Sequence, residues 1–272
     1  MSVPVWVKAL AVVLASCGLA LALPLALGGA ALIDGVSADR SSTQTAACEP
    51  GGTVSIKIAS AHIVIVPGAD GQVVVDEHDT ARALTRRLAQ VELDGMRTIV
   101  LPSGKGVVVI TDTSNLLGSF GATRDRRLTV HVPATAALSV TAASADIEVS
   151  GISGDVNIET ASGSVRMRDM EVSGRLDARV VSGSLEYDGT VHGGNLQLSA
   201  VSGSVRADIP KTTDVHFEAS TVSGAIIIDR GFPIPVIGSG RAAQSAKGDI
   251  GAGGPAALTM STVSGAVYLR IR

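Results

Sequence analysis

From residue 143 to the C-terminus, apolar and polar residues alternate in short runs, each opened by a Ser-Gly pair or a close variant. The pairs are Ser144-Ala145, Ser153-Gly154, Ser162-Gly163, Ser173-Gly174, Ser182-Gly183, Ser202-Gly203, Ser223-Gly224 and Ser264-Gly265. His192-Gly193-Gly194 is a degenerate copy. Up to residue 202, successive copies lie about ten residues apart and alternate copies about twenty. Two residues beyond each pair stand Ile147, Val156, Val165, Leu176, Leu185, Leu196, Val205, Ile226 and Val267. Four beyond stand Val149, Ile158, Met167, Ala178, Tyr187, Leu198, Ala207, Ile228 and Leu269. Between them lie mostly polar residues, among them Glu148, Asn157, Arg166, Asp177, Glu186, Gln197 and Arg206. A period of two turns one face of a strand into a core and the other into water.

Each unit therefore reads as a short strand entered through a corner. Glycine supplies the backbone freedom of the corner, and the Ser hydroxyl bonds nearby backbone groups. A ten-residue unit cannot bury its own apolar face, but stacked coils of about twenty residues, two strands each, bury it continuously. The predicted fold is all-β, a β-solenoid over residues 53–272. A β-sandwich of hairpins is the rival, since it also alternates with regular turns. Identical corner chemistry in successive units favours the solenoid.

Val54-Ser-Ile-Lys-Ile58 alternates as well, and Ala59 to Ile65 echoes Ala143 to Val149. Apolar residues at Ala81, Leu84 and Leu88 have helical spacing, which predicts one short helix over 79–90, capped by Asp79 or Thr80 and covering the first coils. Asp94-Gly95 reads as a hairpin turn between 91–93 and 98–101. Residues 230–257, rich in Pro, Gly and Ala, read as an inserted loop before the last unit, and 267–271 as the strand that closes the stack.

The repeated Val181-Ser-Gly-Ser-Leu185, Val201-Ser-Gly-Ser-Val205 and Val222-Ser-Gly-Ala-Ile226, with the early helix and hairpin, resemble a bacterial family of β-strand-repeat adhesin domains called toastrack domains. The resemblance covers roughly residues 53 to 272. It implies a cell-envelope domain linked with adhesion or envelope stress, and it brings no catalytic residues with it.

Ahead of the repeats, Ala9 to Ile33 carries no charge. As a helix this run reaches roughly 38 Å, more than the ~30 Å bilayer core. Lys8 precedes it and Asp34 and Asp39 follow, so the N-terminus (1–8) is expected in the cytoplasm, 9–33 in the membrane and the rest outside. Two alternatives stay open: a cleaved signal peptide, and a lipoprotein attached through Cys17 in Leu14-Ala-Ser-Cys17. Residues 34–52, rich in Ser, Thr, Ala and Gly, read as a flexible tether.

Composition narrows the function. Aromatic residues are 2% of the chain against 46% hydrophobic, so the core is aliphatic and suits regular strands. A net charge of −3 and so few aromatics argue against nucleic acid. Cys17 and Cys48 are too few for a disulfide framework. The five histidines (His62, His78, His131, His192, His216) are scattered, so no metal site is expected. Gly238-Ser-Gly-Arg-Ala-Ala243 mimics a dinucleotide fingerprint, but Pro233 and Pro235 spoil the strand it requires. Neither Pro102 to Gly106 nor Gly151 to Asp155 has the spacing of a phosphate loop or nucleophile elbow; the former reads as a hairpin tip.

The expected function is therefore non-catalytic, with no catalytic, cofactor or metal residues. The chain would present a binding or scaffold surface to an envelope protein or a cell-wall component. Two rivals are a solenoid enzyme acting on envelope polysaccharide through surface residues such as Asp146, Asp155 and Arg166, and a purely structural spacer.

Overall fold

The computed structural model describes residues 35–113, 122–238 and 243–272. The expected membrane segment, Cys17 and residues 239–242 of the Gly-Ser-Gly stretch lie outside the described residues. Nineteen strands and one helix are described. The N-terminal portion holds β1 (Val36–Ala47), β2 (Thr53–Pro67), β3 (Gln72–Ala83), helix α1 (Arg86–Asp94), β4 (Met96–Ser103), β5 (Gly106–Thr113) and β6 (Thr123–Val132). The repeats follow as β7 (Ala137–Ser150), β8 (Val156–Ser162), β9 (Val165–Val172), β10 (Arg175–Ser182), β11 (Leu185–Val191), β12 (Asn195–Ser202) and β13 (Val205–Ile209). The C-terminal portion holds β14 (Val215–Ser223), β15 (Ile226–Ile228), β16 (Val236–Ile237), β17 (Gln244–Ile250), β18 (Ala256–Ser264) and β19 (Val267–Ile271).

The strands stack into two faces around one aliphatic core, the solenoid-like arrangement that the alternation predicts. The first face runs β5, β2, β7, β8, β10, β12, β18, β14, all parallel. The second runs β6, β2, β7, β9, β11, β13, β19, β15, also parallel. The long strands β2 and β7 pass through both faces. Rows of buried side chains fill the space between: Val54, Leu138, Val156, Leu176, Leu196, Leu258 and Phe217 from one face, and Ile63, Ile147, Val165, Leu185, Val205, Val267 and Ile226 from the other.

At the corner between faces, Ser60, Ser144, Ser162, Ser182, Ser202, Ser264 and Ser223 align in register. The glycine after each later serine has a positive φ, +144° at Gly183 and +141° at Gly203. A Cβ at Gly203 would fall on the carbonyl oxygen of Gly183 in the coil beneath. Successive coils therefore touch backbone to backbone, and only glycine fits.

The structure corrects several expectations. Residues 36–47, read as part of a tether, form β1, which pairs antiparallel with β3 along twelve residues. Its middle inward positions, Arg40, Ser42 and Gln44, are polar and only Ala38 and Ala46 at its ends are apolar, so no apolar stripe announces it. The helix starts at Arg86, capped by Thr85 Oγ1 accepting from the N–H of Leu88 at 3.3 Å, because residues 79–83 complete β3 instead. Asp94-Gly95 ends that helix. The hairpin is β4–β5, with its tip at Ser103–Gly106.

The segment read as a loop contains β16 and β17, and β17 pairs antiparallel with β14. Nor does the last strand close the stack. The coil β18–β19 lies between β12–β13 and β14–β15, so stacking order departs from chain order.

Candidate binding grooves

Two shallow polar depressions mark the outside of the stack. The larger, about 480 Å³, lies on the first face across β7, β8 and β10. Pleating sends Arg175, Asp177 and Arg179 outward together from β10, and register sets Asp177 beside Asn157 and Arg179 beside Glu159. Asp177 Oδ2 accepts from Arg179 Nη2 at 2.6 Å and from Arg175 Nη2 at 3.2 Å. Although it faces outward, the Asp177 side chain is only 3% exposed, with an arginine at each flanking outward position. Its Oδ1 has no hydrogen-bond partner. A buried carboxylate oxygen left unpaired is costly, so a donor that displaced its cover would gain a strong acceptor. Glu159 is held by Arg179 at 3.6 Å. Asp155 Oδ1 accepts from the backbone N–H of Arg175 at 2.7 Å, tying two coils together.

The second depression, about 420 Å³, lies at the serine corner between β2, β6 and β7. Asp146 Oδ1 there accepts from the N–H and hydroxyl of Ser164, at 2.8 and 2.7 Å. The Ser164 hydroxyl, then its N–H, hold the Asp146 carboxyl below its ordinary pKa; the His62 and Arg166 charges act in the same direction and partial burial opposes them. Arg126, also on its wall, is 2% exposed. Its Nε donates to Asp79 Oδ1 at 2.9 Å and lies 3.3 Å from Glu77 Oε1. Arg40 Nη2 donates to Asp79 Oδ2 at 2.7 Å, and Thr98 Oγ1 donates to Glu77 Oε1 at 2.5 Å. These charges are internal to the fold.

Residues 90–269 match the family described as Toastrack DUF4097. The chain belongs to the Toastrack DUF4097 family. Among solved structures it is similar to a candidate cell adhesion protein from Clostridium sporogenes, at 10% identity and a TM-score of 0.44, covering 86% of this chain and 100% of that one. A candidate adhesin from Bacteroides fragilis gives 11% identity and a TM-score of 0.46, covering 85% of this chain and 97% of that one. No curated protein matches this Toastrack chain in sequence.

Within this Toastrack domain, the three residues named for the polysaccharide-enzyme rival are not brought together. Asp146 lines the corner groove, Asp155 the first-face groove, and Arg166 sits on the second face between Glu148 at 3.6 Å and Glu186 at 3.3 Å. Asp146 and Asp155 each cap a different corner, on the N–H groups of Ser164 and Arg175. Among the described residues no three of His, Cys, Asp and Glu converge as metal ligands. Cys48 is buried and unpaired, and burial pushes its thiol pKa up. Sequence reasoning left Asp177 among the ordinary outward charges. The readable signal was Arg-x-Asp-x-Arg in a period-two strand, which aligns two guanidiniums on one carboxylate.

Proposed function

We propose that this Toastrack protein is a non-catalytic, membrane-anchored extracytoplasmic protein whose stacked faces bind a hydroxyl-rich polymer of the cell envelope. The observation that carries the reading is Asp177, a buried outward carboxylate on the wall of the groove, with one oxygen fixed by two arginines and the other covered and without a partner. A sugar hydroxyl would donate to this oxygen once the exposed Arg175 side chain swings aside, while Asn157 and the guanidiniums of Arg175 and Arg179 line the same groove. Engagement of the neighbouring carboxylates in ion pairs and corner caps favours binding over acid–base chemistry, which needs carboxyls free to exchange protons. The uncharged Ala9–Ile33 run supports the anchor; among the described residues no helix is long and apolar enough to cross a membrane.

Incubating the purified full-length chain with cell-wall polymer tests the non-catalytic part. Retention of the polymer without new reducing ends is expected, and their steady appearance would establish an enzyme instead. Cell fractionation tests the anchor: the chain should remain with membranes after high-salt washing.

A further inference from the structure

Helix α1 is amphipathic on two sides. Ala89, Glu92 and Leu93 face inward, where Leu93 packs with Ala81 and Met96. On the other side Leu88 and Val91 stand at i and i+3 on the helix, and Leu84 lies just ahead of the extended cap residue Thr85. Leu84, Leu88 and Val91 are 53%, 36% and 52% exposed. Two large aliphatic side chains on the helix and one just ahead of its cap, all exposed among the described residues, form an unpartnered patch. Arg86 and Arg87 flank it and are exposed; Asp94 stands at the helix end, where it accepts from Gln90 Nε2 at 3.2 Å.

The chain's course says what covers this patch. The uncharged run ends at Ile33, and β1 begins at Val36. Three residue steps span at most about 10 Å. Val36 pairs with Ala83, the neighbour of Leu84, and is itself an exposed aliphatic residue. A segment of bilayer length therefore ends within about 10 Å of Val36, at the strand end beside the patch, and two arginines complement anionic headgroups.

We infer that α1 is a membrane-surface contact: Leu84, Leu88 and Val91 dip into the interface of an anionic bilayer while Arg86 and Arg87 meet its headgroups, fixing how the stack stands on the membrane. The inference rests on the membrane-anchor reading above. It makes the N-terminal end of the stack the membrane-proximal one, and sets the β14–β15 coil, six coil steps of ~4.8 Å from β2, about 29 Å along the stack.

Trp6 is the sole tryptophan, so a Trp6→Phe background permits a direct test with the full-length chain. Leu88→Trp, and Ser223→Trp as the distal reference, are reconstituted into phosphatidylglycerol–phosphatidylcholine vesicles with brominated acyl chains. The Leu88→Trp emission should be blue-shifted and strongly quenched, and that of Ser223→Trp unquenched. Arg86→Glu with Arg87→Glu should shift the docked-to-undocked ratio by on the order of tenfold or more, with the chain still floating with the vesicles. Equal quenching at both positions, no quenching at position 88 in a chain that floats, or quenching indifferent to the charge reversal would overturn the contact. A blue shift without bromine quenching would place protein there instead and also overturn it. A chain that fails to float would refute the anchor itself, and the contact with it.

Discussion

At the residue scale, the corner glycines are the positions where sequence and geometry agree most closely. Gly203→Ala drives a methyl into the Gly183 carbonyl at a φ that side chains resist, and a loss of about 3 kcal/mol is expected from urea unfolding. Gly193→Ala is the control, because its nearest neighbour would be Ser173 O at 3.6 Å, and it should cost far less. Asp146 gives a pH signature. Its carboxyl is lowered in the fold, so its stabilisation is present above the unfolded value of about 3.9 and is lost as pH falls through the folded value. The stability gap between wild type and Asp146→Ala should be full at pH 6 and shrink on acidification below pH ~4, as read by thermal melts. The inward aliphatic rows and glycine corners were legible, because both follow from a period of two. Asp177 was not, since its burial comes from arginines at i±2 folding over it, and an outward aspartate in sequence looks like any other.

At the element scale, the strand β1 was hidden by its chemistry. Between Ala38 and Ala46 its inward positions are Arg40, Ser42 and Gln44, which meet Asp79, Glu77 and the Thr98 carbonyl. Polar residues that read as a tether are satisfied by partners on β3 and β4, more than thirty residues along the chain, and no local pattern reports that. The same network explains why β3 continues through Asp79 where a helix cap was expected: its carboxylate serves Arg40 and Arg126. Removing one member leaves buried charge uncompensated, so Asp79→Ala should cost about 3–5 kcal/mol in urea unfolding. Replacing Asp79 and Arg126 together by apolar residues should cost less than the sum of the two single changes. Strictly additive losses would mean that the pair does not act as a unit.

At the scale of the molecule, the repeat predicts a stack but not its order. The C-terminal coil slides between two earlier ones, because residues 230–255 return the chain past β14 before β18 begins. Register alone permits this, since each coil offers the same serine–glycine corner to either neighbour. Deleting residues 256–272 should therefore do more than shorten one end: β12 and β14 lose their shared partner, and hydrogen-exchange protection should fall in both, leaving only what β10 and β17 still bond. A fall confined to one of the two strands would contradict the intercalated order.

The outward faces of this stack are the claimed working surface, with Asp177 at its centre. Cosedimentation of the full-length chain with purified cell wall tests that directly, comparing wild type with Asp177→Asn and Asn157→Ala at matched thermal stability. Retention of wild type, with binding weakened at least about tenfold in Asp177→Asn through loss of the charged acceptor and weakened to a smaller degree in Asn157→Ala, is the predicted result. Equal retention of all three, or of none, would contradict it.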